Sequence, residues 1–287
     1  MADKLASPKV SPLTALCILK TTWMISSFFS TNRPIDHQVI DLILYKTYAD
    51  LRAEAAKTYI NYLWWVIDPI LSMLVFYLVF GLLFQRGGEG FVAFLLSGLV
   101  IWNWYRQSVA HAGGSILNGK GLMNQVHVPK LVFPTVTLLT DLTKFALVLV
   151  LLLVFLWISG YPVNASYLAL PVLLVVQLLL IAGLAFCLAG LVPFVPDLRF
   201  LVDHLLHLQF FCSGIFYSVK DLPAQYQGWF YLNPMAGLIE DYRGVLLHGT
   251  WPHWGRLGLI ALGSTVLLAV AISFVHGRDR EYPRAIR

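Results

Sequence analysis

Residues 114–121, "GSILNGKG", come within one position of a phosphate-binding P-loop. Gly114, Gly119 and Lys120 keep the spacing of G-x-x-x-x-G-K-[ST], whose backbone N–H groups cradle phosphates. Gly121 stands where a hydroxyl must ligate magnesium. The motif also needs a strand before the loop and a helix after it. Here an apolar stretch, 91–111, comes before, and no Asp-terminated apolar strand is available as the second half of the site. The stretch does not read as a nucleotide site.

Other reactive groupings are sparse. His204 and His207 lie three apart beside Asp203 and share one helix face, which reads as a hydrated interfacial cluster before it reads as a metal site. Cys17, Cys187 and Cys212 are far apart and outside any C-x-x-C spacing, so neither a disulfide framework nor a metal centre follows. No G-x-S-x-G or H-E-x-x-H motif is present. Asp141 and Lys144, three apart within an apolar run, can meet on one helix face. An isolated charge there costs about 2.5–3.5 kcal/mol on insertion scales, so a partnered, protein-facing pair is expected. A polar lining for a path through the protein is the alternative role for that pair.

The elements that would position these groups follow from composition. The chain is 58% hydrophobic and only 12% charged, against about 25% charged in a soluble domain. That much apolar surface needs lipid as its solvent. Six stretches are long enough to cross a bilayer, which takes about 20 helical residues: 63–84, 91–111, 133–158, 167–192, 199–217 and 256–276. The expected fold is an all-α integral membrane protein with six transmembrane helices. The net charge of +5 forms no contiguous basic stripe, so nucleic acid is not an expected partner. In a membrane protein Lys and Arg report topology. With both termini inside, the cytoplasmic side gathers the N-terminal lysines and arginines, Arg106, Lys120, Lys130, Arg199, Arg278, Arg280, Arg284 and Arg287. The other side keeps only Arg86, Lys220, Arg243 and Arg256. Both termini are therefore expected in the cytoplasm.

Residues 1–37 form an extension in which Lys20 interrupts the apolar run and no small-residue cleavage site follows, so a signal peptide is not expected. Residues 38–60 differ in kind. Ile40, Ile43, Leu44, Tyr48 and Leu51 recur at helical spacing, with Asp41, Lys46, Asp50, Arg52, Glu54 and Lys57 mostly opposite. This predicts an amphipathic helix on the cytoplasmic membrane surface. A six-span domain follows over 61–277, and a cytoplasmic tail over 278–287. Between spans five and six, 218–255 is too short and too polar to cross and begins and ends outside. Two short re-entrant helices fit it, the second starting at Pro234.

The polar segment 115–130 is bracketed by glycines and Pro129 on the cytoplasmic side. A short helix there suits a membrane subunit that a separate ATPase pushes upon. Among the aromatics of the first two spans, Tyr59, Tyr62, Trp65, Trp102 and Tyr105 are the candidates to line a pathway through the protein.

Four segments carry a family likeness: "LRAEAAKTYINYLWWVIDPILSMLVFYLVFGLLF" (51–84), "LLSGLVIWNWYRQSV" (95–109), "NGKGLMNQVHVPKLVFP" (118–134) and "YLNPMAGLIEDYRGVLLHG" (231–249). Together they resemble the membrane-spanning permease of ABC type 2 exporters, especially those for O-antigen or capsular polysaccharide. The likeness runs from about Tyr45 to Gly277 and leaves the N-terminal extension outside. It implies a homodimer in the bacterial inner membrane, two cytoplasmic ATPase subunits that hold the ATP and magnesium, and no cofactor in this subunit. It makes 38–60 the interface helix and 118–130 the coupling helix, with Gly119, Lys120, Gly121, Leu122, Met123, Val126 and Lys130 as ATPase contacts. It places Glu240 and Arg243, three apart and able to pair, at an outer gate. Arg52 and Lys57 are the basic groups expected to recognise the lipid diphosphate of a lipid-linked polysaccharide. A small-molecule exporter of the same fold and a membrane glycosyltransferase are the competing classes; the latter needs a carboxylate cluster or a sizeable soluble domain, and neither is visible.

Overall fold

The computed structural model describes residues 35–56, 63–76, 78–79, 90–123, 125, 128–218 and 223–285. The N-terminal extension (save its last residues), Lys57, Tyr59, Tyr62 and Val126 lie outside them. Residues 1–45 and 46–287 separate into two compact units. The helix α1, Ile35–Ala56, starts in the first and continues in the second. The rest of the second unit is α2 (Trp64–Phe76), α3 (Phe91–Gly113), the single turns α4 (Ser115–Asn118) and α5 (Lys120–Met123), and α6 (Val132–Ile158). A 3₁₀ turn (Ala165–Ala169) leads into α7 (Leu170–Leu191), followed by α8 (Leu198–Phe211), α9 (Ala224–Phe230), α10 (Pro234–Leu247), α11 (Trp254–Gly277) and α12 (Tyr282–Ala285).

Every described element is helical, and three are long and apolar enough to cross a membrane: Val132–Ile158, Ala165–Leu191 and Trp254–Gly277. On α11 the exposed residues Leu259, Leu262, Val266 and Val270 form a stripe at helical spacing. Water would penalise that surface; hydrocarbon does not. The helix α3 is of another kind. From Leu95 to Tyr105 all its residues except Asn103 are buried. Its second half instead carries Arg106, Gln107 and His111 on an exposed face.

Close approach holds the apolar helices together, because lipid supplies no hydrophobic drive between them. At Gly183 an added Cβ would lie 3.1 Å from the Ser264 carbonyl, and at Gly190 it would lie 2.9 Å from a Val275 methyl. These two glycines, seven apart, let α7 lie directly on α11. Gln177 of α7 donates to the Ile101 carbonyl of α3 at 3.0 Å, a polar tie within the apolar core.

Contacts divide the second unit into two ends. At one, Lys130 meets Asp279 and Tyr282 meets Gly190. At the other, Arg243 reaches Phe94 and Gly214, and Ser166 reaches Val245. So α3, α7 and α11 run one way, and α6 and α8 run back.

One expected span comes out shorter. The stretch expected over 199–217 stops as a helix at Phe211 and continues as turns through Tyr217. The cause is local: the Asn233 side chain donates to the Cys212 carbonyl at 3.1 Å, and Arg243 donates to the carbonyls of Gly214 and Ile215 at 2.6 and 2.7 Å. Carbonyls that a helix end would leave orphaned find side-chain donors instead. Of the span expected over 63–84, Trp64–Phe76 is helical, and residues 77 and 80–84 lie outside the described ones. The helix α10 begins at Pro234, as expected, with the Asn233 side chain accepting from the Met235 amide at 3.1 Å.

Candidate functional site

The segment after α3 is two single turns jointed at Gly119. The Gly119 amide closes α4 on the Ser115 carbonyl at 3.0 Å, and the Met123 amide opens α5 on the Gly119 carbonyl at 3.1 Å. The single helix expected over 118–130 is therefore shorter: α5 ends at Met123, and residues 128–130 are not helical. Gly119 is needed for packing, since a Cβ there would collide with the ring of Phe133. Gly121 faces open space. Lys120 and Gly121 are exposed, while Leu122 and Met123 are half-buried. Both lean on a small cluster of Ile116, Phe133, Ala189, Val275 and Tyr282. Gly114 follows a helix, not the strand that a P-loop requires.

Lys130 is 3% exposed. Its amide donates to Asp279 Oδ1 at 3.0 Å, and its ammonium lies 3.5 Å from Oδ2. It anchors the tail and offers no surface for an ATPase to contact, which departs from the role expected of it.

A charge network ties α1 to the apolar helices. The Asp141 carboxylate is 4% exposed and lies 3.0 Å from His111 Nδ1 and 3.6 Å from Lys144 Nζ. Lys144 also donates to Glu54 at 2.7 Å and sits 5.6 Å over the Trp65 ring. The expected Asp141–Lys144 pair forms, and Glu54 and His111 complete it from other helices. On α1, Ile40, Leu44 and Tyr48 are exposed at i, i+4, i+8, while Thr47 and Ala55 are buried. Arg52 is exposed and has no ion pair among the described residues.

Two of the five pathway aromatics are placed differently from expectation. Trp102 and Tyr105 are 1% and 3% exposed. Their rings pack 5.3 Å apart, with Phe210 of α8 5.7 Å from Trp102. Tyr105 donates to Gln209 at 3.0 Å, Gln209 to Asn233 at 2.9 Å, and Asn233 to Ser213 at 2.9 Å. The two rings brace α3 against α8, and neither lies on a surface of the subunit. Trp65 is half-buried beneath Lys144.

At the other end, Glu240 and Arg243 do not pair. Glu240 accepts from Arg256 at 3.1 Å. Arg256 also donates to Asp241 at 2.6 Å, and His253 lies 3.0 Å from the same oxygen. Arg243 is turned inward onto three carbonyls, with the Phe94 ring 3.5 Å from its guanidinium carbon. A cavity of about 140 Å³ opens here, walled by Glu240, Asp241, Arg243, Tyr217, Trp251 and His253 among others. His204 and His207 of α8 are exposed, and among the described residues no group of three His, Cys, Asp or Glu gathers to hold a metal.

The family model for "ABC-2 type transporter" matches residues 47–247. The chain belongs to the ABC-2 type transporter family. The match takes in the jointed segment, the charge network and α10, while α11 and the tail lie beyond it. Among curated proteins, this ABC-2 chain is 29% identical over 253 residues to the O-antigen export system permease protein RfbA of Myxococcus xanthus, covering 87% of this chain and 97% of that one. It is 23% identical over 236 residues to the RfbA of Klebsiella pneumoniae, covering 82% and 91%. It is 22% identical over 233 residues to the polysialic acid transport protein KpsM of Escherichia coli, covering 80% and 90%.

Several residues of this ABC-2 site escaped the sequence reading. Asp241 adjoins Glu240, but its partners His253 and Arg256 lie 12 and 15 positions away across a loop. The Tyr105–Gln209 and Lys130–Asp279 contacts span 104 and 149 positions. No local periodicity marks such pairs.

Proposed function

We propose that this ABC-2 permease is the channel-forming subunit of an ATP-driven exporter of lipid-linked polysaccharide, of O-antigen or capsule type, in the bacterial inner membrane. One observation carries the substrate class: the likeness to permeases named for O-antigen export runs nearly end to end. In this reading two copies work with two ATPase subunits, and each copy crosses the bilayer six times with its termini in the cytoplasm. The alternating helix directions support that topology, as does the gathering of Lys120, Lys130, Arg199, Arg278 and Arg280 at one end. At that end, the exposed turn Lys120–Gly121 with Leu122 and Met123 is the ATPase contact. Arg52 on α1 is the exposed cation that meets the lipid diphosphate. At the opposite end, Arg256 holds Glu240 and Asp241 together as part of the exit gate.

Deleting the gene in its own cell tests the substrate class. Lipid-linked polymer is expected to accumulate on the cytoplasmic side while synthesis continues, with the chain supplied in trans restoring surface polymer. Unchanged surface polymer combined with heightened sensitivity to small toxic compounds would instead identify a small-molecule exporter.

A further inference from the structure

The C-terminal tail folds back on the end that carries the jointed segment, although it lies beyond the family-model match. After Gly277 the chain reverses through a turn in which the Glu281 amide donates to the Arg278 carbonyl at 2.9 Å. Two anchors follow. Asp279 takes both the amide and the ammonium of Lys130, just before α6 begins. Tyr282 is fully buried, donates to the Gly190 carbonyl at the end of α7 at 3.2 Å, and sets its ring 5.2 Å from Phe194. Burial pushes its phenol up to about 12, so it remains a donor at physiological pH.

The turns α4 and α5 have four residues each. Helices that short have no stability of their own, so whatever they pack upon decides where they sit. They pack upon the cluster that Tyr282 completes: Ile116 belongs to it, and Leu117, Leu122 and Met123 rest against it. A segment that transmits a push must be backed by something fixed; otherwise the push is absorbed by local rearrangement.

We infer that residues 278–285 are a latch that holds the turns α4 and α5, together with Lys130, in register with α6, α7 and α11, making Asp279 and Tyr282 positioning residues for ATP-driven transport. The inference rests on the reading of Lys120–Met123 as the ATPase contact.

The test co-expresses the full permease with its cognate ATPase and compares Tyr282→Ala, Tyr282→Phe, Asp279→Ala and Leu122→Asp. Membrane abundance, ATPase co-purification, ATP hydrolysis and polymer export are read for each. Tyr282→Ala and Asp279→Ala are expected to insert and retain the ATPase, with export falling roughly tenfold or more while hydrolysis falls far less, because misplacement by an ångström carries penalties of that order. Tyr282→Phe keeps the buried ring and should export within about fivefold of wild type, the change expected when one modest hydrogen bond is lost. Leu122→Asp should lose the ATPase itself. If Leu122→Asp fails as described while both tail variants export normally, the latch is refuted and the coupling surface stands. If Leu122→Asp is silent, the coupling surface is refuted. If Tyr282→Ala is absent from the membrane, Asp279→Ala, which leaves the ring in place, decides by the same readouts. Absence of both variants makes the tail a folding element and overturns the inference.

Discussion

Arg243 donates to the carbonyl of Gly214 at 2.6 Å, across the gap between α10 and the unwound end of α8. With the Ile215 and Phe94 carbonyls it satisfies three backbone acceptors. Arg243→Ala would strand those carbonyls, at about 1–3 kcal/mol each. Arg243→Lys should rescue little, since one ammonium lacks the planar fork that reaches three divergent acceptors. Glu240→Gln, which loosens a partly exposed pair, should cost no more than about 1 kcal/mol. Thermal unfolding in detergent ranks the three; Arg243→Lys as stable as wild type would show that the fork is dispensable.

The aromatic pair on α3 is expected to behave as core. Trp102→Ala should destabilise the subunit by about 3–5 kcal/mol, as large core truncations do. Tyr105→Phe loses only the bond to Gln209, about 1 kcal/mol. Export per folded molecule should stay near wild type in Tyr105→Phe. Loss of export in that variant at unchanged thermal stability would return the ring to the pathway.

Gly119 and Gly121 should separate cleanly. Gly119→Ala drives a Cβ into Phe133, so the segment must shift and export should fall, whereas Gly121→Ala meets open space and should be neutral. Phe133→Leu combined with Gly119→Ala makes room and should recover part of the loss. Equal export in both single glycine variants would show that the Phe133 contact does not set the segment's position. Lys120→Ala should leave nucleotide binding by the assembled complex unchanged.

Lys144 joins α6 to Glu54 at the end of α1. Lys144→Met and Glu54→Gln should each release that end and speed tryptic cleavage after the exposed Arg52 in membrane vesicles. A double-mutant cycle should give a coupling of about 1 kcal/mol, typical of a half-exposed pair. Additive effects would mean that α1 is held by its buried Thr47 and Ala55 side alone.

What the sequence determined by itself is what depends on composition over a few turns. Runs such as 133–158 and 167–192 announce membrane helices because the bilayer solvent acts on local apolarity, residue by residue. The Asp141–Lys144 pair and the start of α10 at Pro234 were equally legible, being set within one turn. Tertiary structure decided the choices between partners. Arg243 had Glu240 within reach and took distant carbonyls, because an orphaned backbone acceptor in a buried place costs more than a carboxylate that Arg256 can serve. Trp102 and Tyr105 gave no sign of facing inward, since large aromatic rings suit a packed core and an exposed pathway wall alike. Tyr282 stood in a charged tail and became the centre of an apolar cluster only because the chain, 92 residues past Gly190, returned to the same end of the fold.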